Sequence, residues 1–228
     1  MRAEPVRARD RHRARAASAP ALRVGGFVPF SATDYPDRLC AVVFCQGCPW
    51  RCGYCHNPHL LPVRSPGPAP RWNDVIAFLE NRRGLLDAVV FSGGEPTLQA
   101  GLADAMKAVK AAGFNVGLHT AGIYPARLAS LLPLVDWVGF DVKASFEDYE
   151  DITHTPRSGS RARRSLELLL ASGVAYQIRT TVDTRILTPA KLAKLRSDLE
   201  RYGVAGHVMQ VCREVETPAF LNLHQSGA

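Results

Sequence analysis

A chain of 228 residues with 46% hydrophobic and 21% charged side chains has the size and balance of a globular protein that buries its own core, with one domain as the default. The net charge of +7 is uneven: residues 1–23 carry seven arginines against Glu4 and Asp10, a net of +5, which leaves only +2 for the rest and argues against a nucleic-acid-binding body. No apolar run is long enough to span a membrane and no secretory core follows the basic head, so a reducing cytoplasm is the expected compartment, with residues 1–23 read as a disordered extension and 24–228 as the folded domain.

From Val24 to Asp37 the turn residues Gly25, Gly26, Pro29 and Pro36 describe a lead-in segment. Leu39–Phe44 is a short apolar strand that delivers the chain to a cysteine-rich loop, and Leu61–Pro70, with four prolines and a glycine, is a surface loop. Asn73 is placed to cap a helix whose stripe is Val75, Ile76 and Leu79. Leu86–Phe91 is the second strand, followed by a helix with Leu98, Leu102, Ala105, Met106 and Val109 at three- and four-residue steps. Val116–Thr120 is a third strand, Pro125–Leu132 a short helix and Trp137–Val142 a fourth strand. Leu166, Leu169 and Leu170 mark a helix closing at Gly173, Tyr176–Val182 is a fifth strand, and Thr188-Pro189 opens a helix that runs to Gly203. Val208–Val211 is a sixth strand, and the tail beyond Pro218 has no clear period.

Six strands, each but the last followed by a helix, imply an α/β chain with parallel pairing and right-handed crossovers. Periodicity does not separate a doubly wound sheet from part of a barrel, but a full eight-unit barrel takes about 250 residues, so six units here argue for an open or incomplete one. Ligands gather at the C-terminal ends of the strands in either architecture. The chemically unusual residues fall there: the cysteine loop, Gly93-Gly94-Glu95, His119-Thr120, Asp141-Val142-Lys143 and Arg179-Thr180.

Cys48, Cys52 and Cys55, separated by three and then two residues, can bring three thiols onto one face of a loop. Three sulfurs complete a tetrahedral zinc site only with a fourth ligand, for which His56 or His59 is near in sequence; they can instead hold three irons of a [4Fe–4S] cluster and leave the fourth iron open. Six cysteines with three packed in eight positions fit such a site better than a disulfide framework. Cys40 and Cys212 read as small packed side chains and Cys45 as a strand-end residue. The glycine pair at 93–94 lets backbone polar groups approach a ligand, and Glu95 is either an acceptor for an ammonium group or a helix-start acid. Asp141 and Lys143 share a face, as ligand groups or as a solvated ion pair. Arg179, inside an apolar strand, needs a partner if buried, and an anionic ligand carboxylate would serve. Arg157, Arg161, Arg163 and Arg164 read as a solvated helix start.

These residues resemble the radical S-adenosylmethionine (SAM) superfamily: the three-cysteine spacing with the aromatic Tyr54 before the last cysteine, followed by the Gly-Gly-Glu motif, is its signature. Cys52-Gly-Tyr-Cys-His-Asn-Pro58, Phe91-Ser-Gly-Gly-Glu-Pro-Thr97 and Gly139-Phe-Asp-Val-Lys143 are similar to glycyl radical enzyme activases. The lead-in Gly25-Gly26-Phe27…Ser31…Asp34-Tyr35-Pro36 and the compact length resemble the anaerobic ribonucleoside-triphosphate reductase activating proteins most closely.

The resemblance implies a six-stranded parallel partial (β/α)6 TIM-like barrel. It implies a [4Fe–4S] cluster on Cys48, Cys52 and Cys55, with SAM chelating the open iron through its amino and carboxylate groups. An electron from a flavodoxin-type donor would cleave SAM to methionine and a 5′-deoxyadenosyl radical, which would take a hydrogen from a backbone glycine of a large partner enzyme. No side chain need act as a general acid or base. By the same resemblance Gly93, Gly94 and Glu95 would meet the methionyl amino group, Tyr54 would lie near the adenine, and Asn57, Asp141, Lys143 and Arg179 would line the SAM pocket. Related activases carry Asp-Thr-Asn-Gly at the third strand end, where this chain has His119-Thr120-Ala121-Gly122, so a cation site there is not expected to carry over. The competing readings are a small-molecule radical SAM enzyme, similar to 7-carboxy-7-deazaguanine synthase, and a non-catalytic iron–sulfur or zinc module.

Overall fold

A computed structural model describes residues 21–204 and 206–212. Seven strands form one sheet in sequence order: β1 (Val24–Ser31), β2 (Cys40–Cys45), β3 (Ala88–Gly93), β4 (Asn115–Thr120), β5 (Trp137–Asp141), β6 (Ala175–Val182) and β7 (His207–Val211). All pairings from β2 to β7 are parallel, and β1 joins β2 antiparallel. The crossovers carry α1 (Trp72–Glu80), α2 (Leu102–Ala111), α3 (Pro125–Leu131), α4 (Tyr149–Thr153) with α5 (Ser158–Ser172), and α6 (Pro189–Arg201). The result is an α/β fold with a parallel-dominated sheet, consistent with a partial TIM-like barrel.

The strand period of two sorts the apolar residues onto two faces. Ala41, Val43 and Cys45 of β2 and Val89 and Phe91 of β3 enter the large core beneath the helices. Cys40, Val42, Ala88 and Val90 point the other way and form a small cluster with Tyr35 and Phe44. The helices answer with stripes at helical spacing, such as the buried Leu102, Ala105, Met106 and Val109 of α2. Thr188 caps α6, its side chain accepting from the Lys191 N–H, with Pro189 in the first turn.

Four expectations need correction. The lead-in is a strand, so the sheet has seven members and not six. Pro29 misled because it argues against a central strand, whereas β1 is an edge strand and tolerates it. Asn73 lies inside α1, whose N-cap is Arg71 with no side-chain cap bond. The five-residue α4 was missed, being too short to show a helical period. The folded body also starts before Val24: Leu22 is buried and the Arg23 carbonyl accepts from the Gln46 N–H at 2.9 Å. The rest of the basic head, residues 1–20, and the tail beyond Pro218 lie outside the described residues. Among the described residues no helix is long and apolar enough to cross a membrane.

Candidate functional site

The cysteine loop leaves β2 at Cys45, and its two limbs are stitched together. Gly47 N–H donates to the Leu60 carbonyl at 2.8 Å and Cys48 N–H to that of Leu61 at 3.1 Å. The buried Gln46 side chain adds bonds from Nε2 to the carbonyls of His59 (3.1 Å) and Pro62 (2.7 Å), and Gln99 Nε2 donates back to the Gln46 carbonyl. The tip is tied to α4 by Arg51 N–H on the Thr153 carbonyl and Gly53 N–H on that of Ile152. On this frame Cys48, Cys52 and Cys55 remain partly exposed, while Cys40 and Cys45 are fully buried. Asn57 sits at the start of a 3-10 turn over Pro58–Leu60, where its carbonyl accepts from Leu60 N–H. Cys212 is not simply packed: its Sγ lies 3.6 Å from His56 Nε2.

Burial pushes the Cys48 thiol up to about 12 and also raises Cys52; in both cases the ammonium of Lys143 pulls in the opposite direction. Cys48 with Cys52, and Cys52 with Cys55, are within electrostatic reach of one another. Among the described residues no three His, Cys, Asp or Glu side chains converge on a single ion-sized point. A cubane asks for something different, one thiolate on each of three irons.

The Gly93-Gly94 turn closes against the base of this loop. Gly94 N–H donates to the Cys45 carbonyl and Glu95 N–H to the Gly47 carbonyl, both at 2.9 Å. Gly93 has φ +110°, a left-handed conformation that favours glycine. Glu95 is buried, and its carboxylate is already engaged. Oε1 accepts from Thr97 N–H (3.0 Å), Thr97 Oγ1 (2.5 Å) and Thr120 Oγ1 (2.7 Å), and Oε2 from Ala121 N–H (3.1 Å). It therefore caps the 3-10 turn Pro96–Leu98 and clamps the end of β3 to the end of β4. Burial raises the Glu95 pKa against the pull of these donors.

Arg179 has its partner within the protein. Its Nε and Nη2 donate to Asp141 Oδ1 at 3.0 and 2.9 Å, across the β5–β6 register pair Asp141↔Arg179, so Asp141 pairs with Arg179 and not with Lys143. Arg179 Nη1 lies 3.2 Å from His119 Nε2, which also lies 2.8 Å from the Asp34 carbonyl. One ring nitrogen cannot donate to a carbonyl and accept from a guanidinium at once, and the shorter contact calls for the Nε2–H tautomer. Thr33, Asp34, His119, Asp141, Arg179 and Thr181 line a polar cavity of about 510 Å³. Lys143 Nζ lies 5.7 Å from the centre of the Tyr54 ring. Burial opposes its charge, but the pull of Tyr54, Cys52 and Asp141 in their ionised forms outweighs it and its pKa is raised. Sequence reasoning missed the bracing roles of Gln46, Gln99 and Asp34; only the polarity of Gln46 directly after an apolar strand signalled the first.

His119 supplies a pH dependence. Burial, then Arg179, lowers its pKa from 6.5 to about 4, against the pull of Asp141. The folded state thus prefers the neutral ring, and the unfolded state binds the proton first as pH falls. Stability is full above the unfolded value and lost as the pH drops from 6.5 towards 4, by about 3 kcal/mol at most. Denaturant titrations at a series of pH values should show this loss, and His119→Gln should flatten it.

Residues 42–204 match the model of the radical SAM superfamily. MJ1227 of Methanocaldococcus jannaschii, whose name assigns it as a glycyl-radical enzyme activating enzyme, is 31% identical over 193 residues, which cover 79% of this chain and 78% of that protein. The pyruvate formate-lyase-activating enzyme of Clostridium pasteurianum is 34% identical over 124 residues, 52% of each chain, so this chain matches about half the length of that relative. The solved structure of native anSMEcpe with bound AdoMet has the same fold, with a TM-score of 0.58 and 21% identity over 74% of this chain and 50% of that one. Radical SAM family members bind a [4Fe–4S] cluster and SAM. The chain belongs to the radical SAM superfamily, and the two relatives described above carry the names of glycyl-radical enzyme activating enzymes.

Proposed function

We propose that this protein generates a glycyl radical on a partner enzyme, the anaerobic ribonucleoside-triphosphate reductase, using SAM and a [4Fe–4S] cluster on Cys48, Cys52 and Cys55. The observation that carries the reading is the convergence of three partly exposed thiols, the Gly93-Gly94 turn and the Lys143 ammonium at one end of the parallel sheet. The donor set suits the cluster: three thiols on one braced loop, of which Cys48 and Cys52 are made costly to ionise by burial unless metal or Lys143 takes up the charge. When bound and reduced, the cofactor pair supplies one-electron cleavage of the sulfonium and a carbon radical able to take a hydrogen atom from a backbone glycine.

The protein's part is binding and orientation. Gly93 and Gly94 bring backbone polar groups to the methionyl amino group. Glu95 presents its remaining acceptor capacity there while its Thr97, Thr120 and Ala121 bonds fix the turn. Lys143 offers an ammonium for a carboxylate. Asp141 and Arg179, already paired, line the pocket as a neutral unit, with Asn57 and the ring of Tyr54 on the loop side. A flavodoxin-type protein supplies the electron, in the cytoplasm.

The test is anaerobic reconstitution, reduction with dithionite and addition of SAM, followed by mixing with the reductase. Methionine and 5′-deoxyadenosine should form, and a glycyl radical doublet should appear by EPR on the reductase. SAM cleavage with a radical on pyruvate formate-lyase but none on the reductase would replace the partner. No cleavage by a protein with an intact cluster would refute the enzyme reading.

A further inference from the structure

Tyr54 is buried at 4% exposure, and its hydroxyl, with Trp50 Nε1, is one of two buried side-chain polar atoms among the described residues that have no hydrogen-bond partner. A buried, unpartnered hydroxyl is costly and asks for an acceptor. Burial raises the Tyr54 pKa, so at neutral pH the oxygen carries its proton and is a donor. The charged or polarisable groups within electrostatic reach of it are Lys143, Cys52, Asp141 and Cys212, in falling order of influence. Lys143 has no lone pair to offer as an ammonium. Asp141 already turns Oδ1 to Arg179, and its side chain is 38% exposed at the cavity. Cys52 stands two residues before Tyr54 on the same loop.

A neutral thiol is a weak acceptor, whereas a metal-bound thiolate is a strong one. The hydroxyl oxygen is itself without exposed surface. We propose that the Tyr54 hydroxyl donates a hydrogen bond to the Cys52 sulfur once that sulfur holds iron, and that this bond helps to set the reduction potential of the cluster. The proposal rests on the cluster assignment above. Reduction adds negative charge to the cluster and its sulfurs, so a donor aimed at a sulfur stabilises the reduced form. Removing the donor makes reduction harder.

Tyr54→Phe deletes only the oxygen, and the apoprotein should unfold at a temperature no lower than the wild type, since the atom removed has no partner there. After anaerobic reconstitution the variant should hold as much iron as the wild type. An EPR-monitored potentiometric titration without SAM should find about tenfold less reduced cluster at a fixed potential, a midpoint about 59 mV more negative for a one-electron couple. A loaded variant with the wild-type midpoint overturns the proposal. A second measurement needs no variant: transfer of the wild-type holoprotein into D2O should shift its Fe–S stretching bands in resonance Raman, and unshifted bands overturn the proposal even if Tyr54→Phe fails to load. A wild-type protein that assembles no cluster would overturn the cluster assignment itself, a result distinct from a loaded Tyr54→Phe protein with normal potential.

Discussion

Replacing Cys48, Cys52 or Cys55 by Ala is expected to reduce bound iron and sulfide to background and to abolish SAM cleavage. Each of these cysteines is partly exposed on the loop that follows β2. A cubane held by three thiolates has no substitute ligand once one is lost. The controls are as informative as the losses. Cys40 and Cys45 are fully buried on opposite faces of β2, one in the small cluster and one in the large core. Their Ala variants should lose some stability, of the order of 1 kcal/mol or more for a small buried side chain, while keeping the iron content of the wild type. Cys212→Ala should keep it too. Iron analysis, absorbance and 5′-deoxyadenosine yield on the six variants measure all of this. A fully active Cys52→Ala protein would falsify the ligand assignment, and loss of iron in Cys45→Ala would move the triplet upstream.

Gly94→Ala is expected to have the next largest effect, and for a reason visible only in the packing. A Cβ there would lie 2.4 Å from the Gly47 carbonyl oxygen and 3.0 Å from that of Leu60. Both are backbone atoms of the stitched base of the cysteine loop, so neither can swing aside as a flexible side chain could. Accommodating the methyl means parting the Gly93-Gly94 turn from the loop and stretching the Gly94–Cys45 and Glu95–Gly47 hydrogen bonds. Overpacking of this kind costs about 1–3 kcal/mol in stability. A displacement of about 1 Å between two halves of a site can cost about a hundredfold in rate. Thermal unfolding and SAM-cleavage kinetics on Gly94→Ala test both effects. A wild-type rate in that variant would show that the turn does not position the substrate-binding half of the site.

Much of this was legible in the residues. The cysteine spacing and the strand-then-helix alternation come from local pattern, and the strands and helices that this pattern predicts lie within a few residues of their expected bounds. What stayed hidden depends on neighbours far apart in sequence. Glu95 looked available to a ligand because nothing local reveals that Thr120, at the end of the next strand, and Ala121 just beyond it already donate to it. Arg179 looked like a cation waiting for an anion because its Asp141 partner is its register neighbour across a parallel pair, 38 residues earlier. β1 was hidden by glycine and proline that an edge strand accepts and a central strand does not. The Tyr54 hydroxyl could not have been found at all from sequence, since lacking a partner is a property of the packed whole.

The strand order has a bearing on how the molecule is made. Because every strand pairs with its neighbour in sequence, the sheet can be extended one member at a time as the chain leaves the ribosome. β2, β3 and the loop between them are complete once Gly93 has been synthesised. Arg179 and β7 come about ninety residues or more later, after roughly 5–20 seconds of further synthesis at ordinary elongation rates. The loop's remaining braces, Gln99 and α4, follow within about sixty residues of Gly93, still ahead of Arg179 and β7. The bracing of the cysteine loop thus precedes the completion of the Asp141–Arg179 pair and of the sheet's last edge.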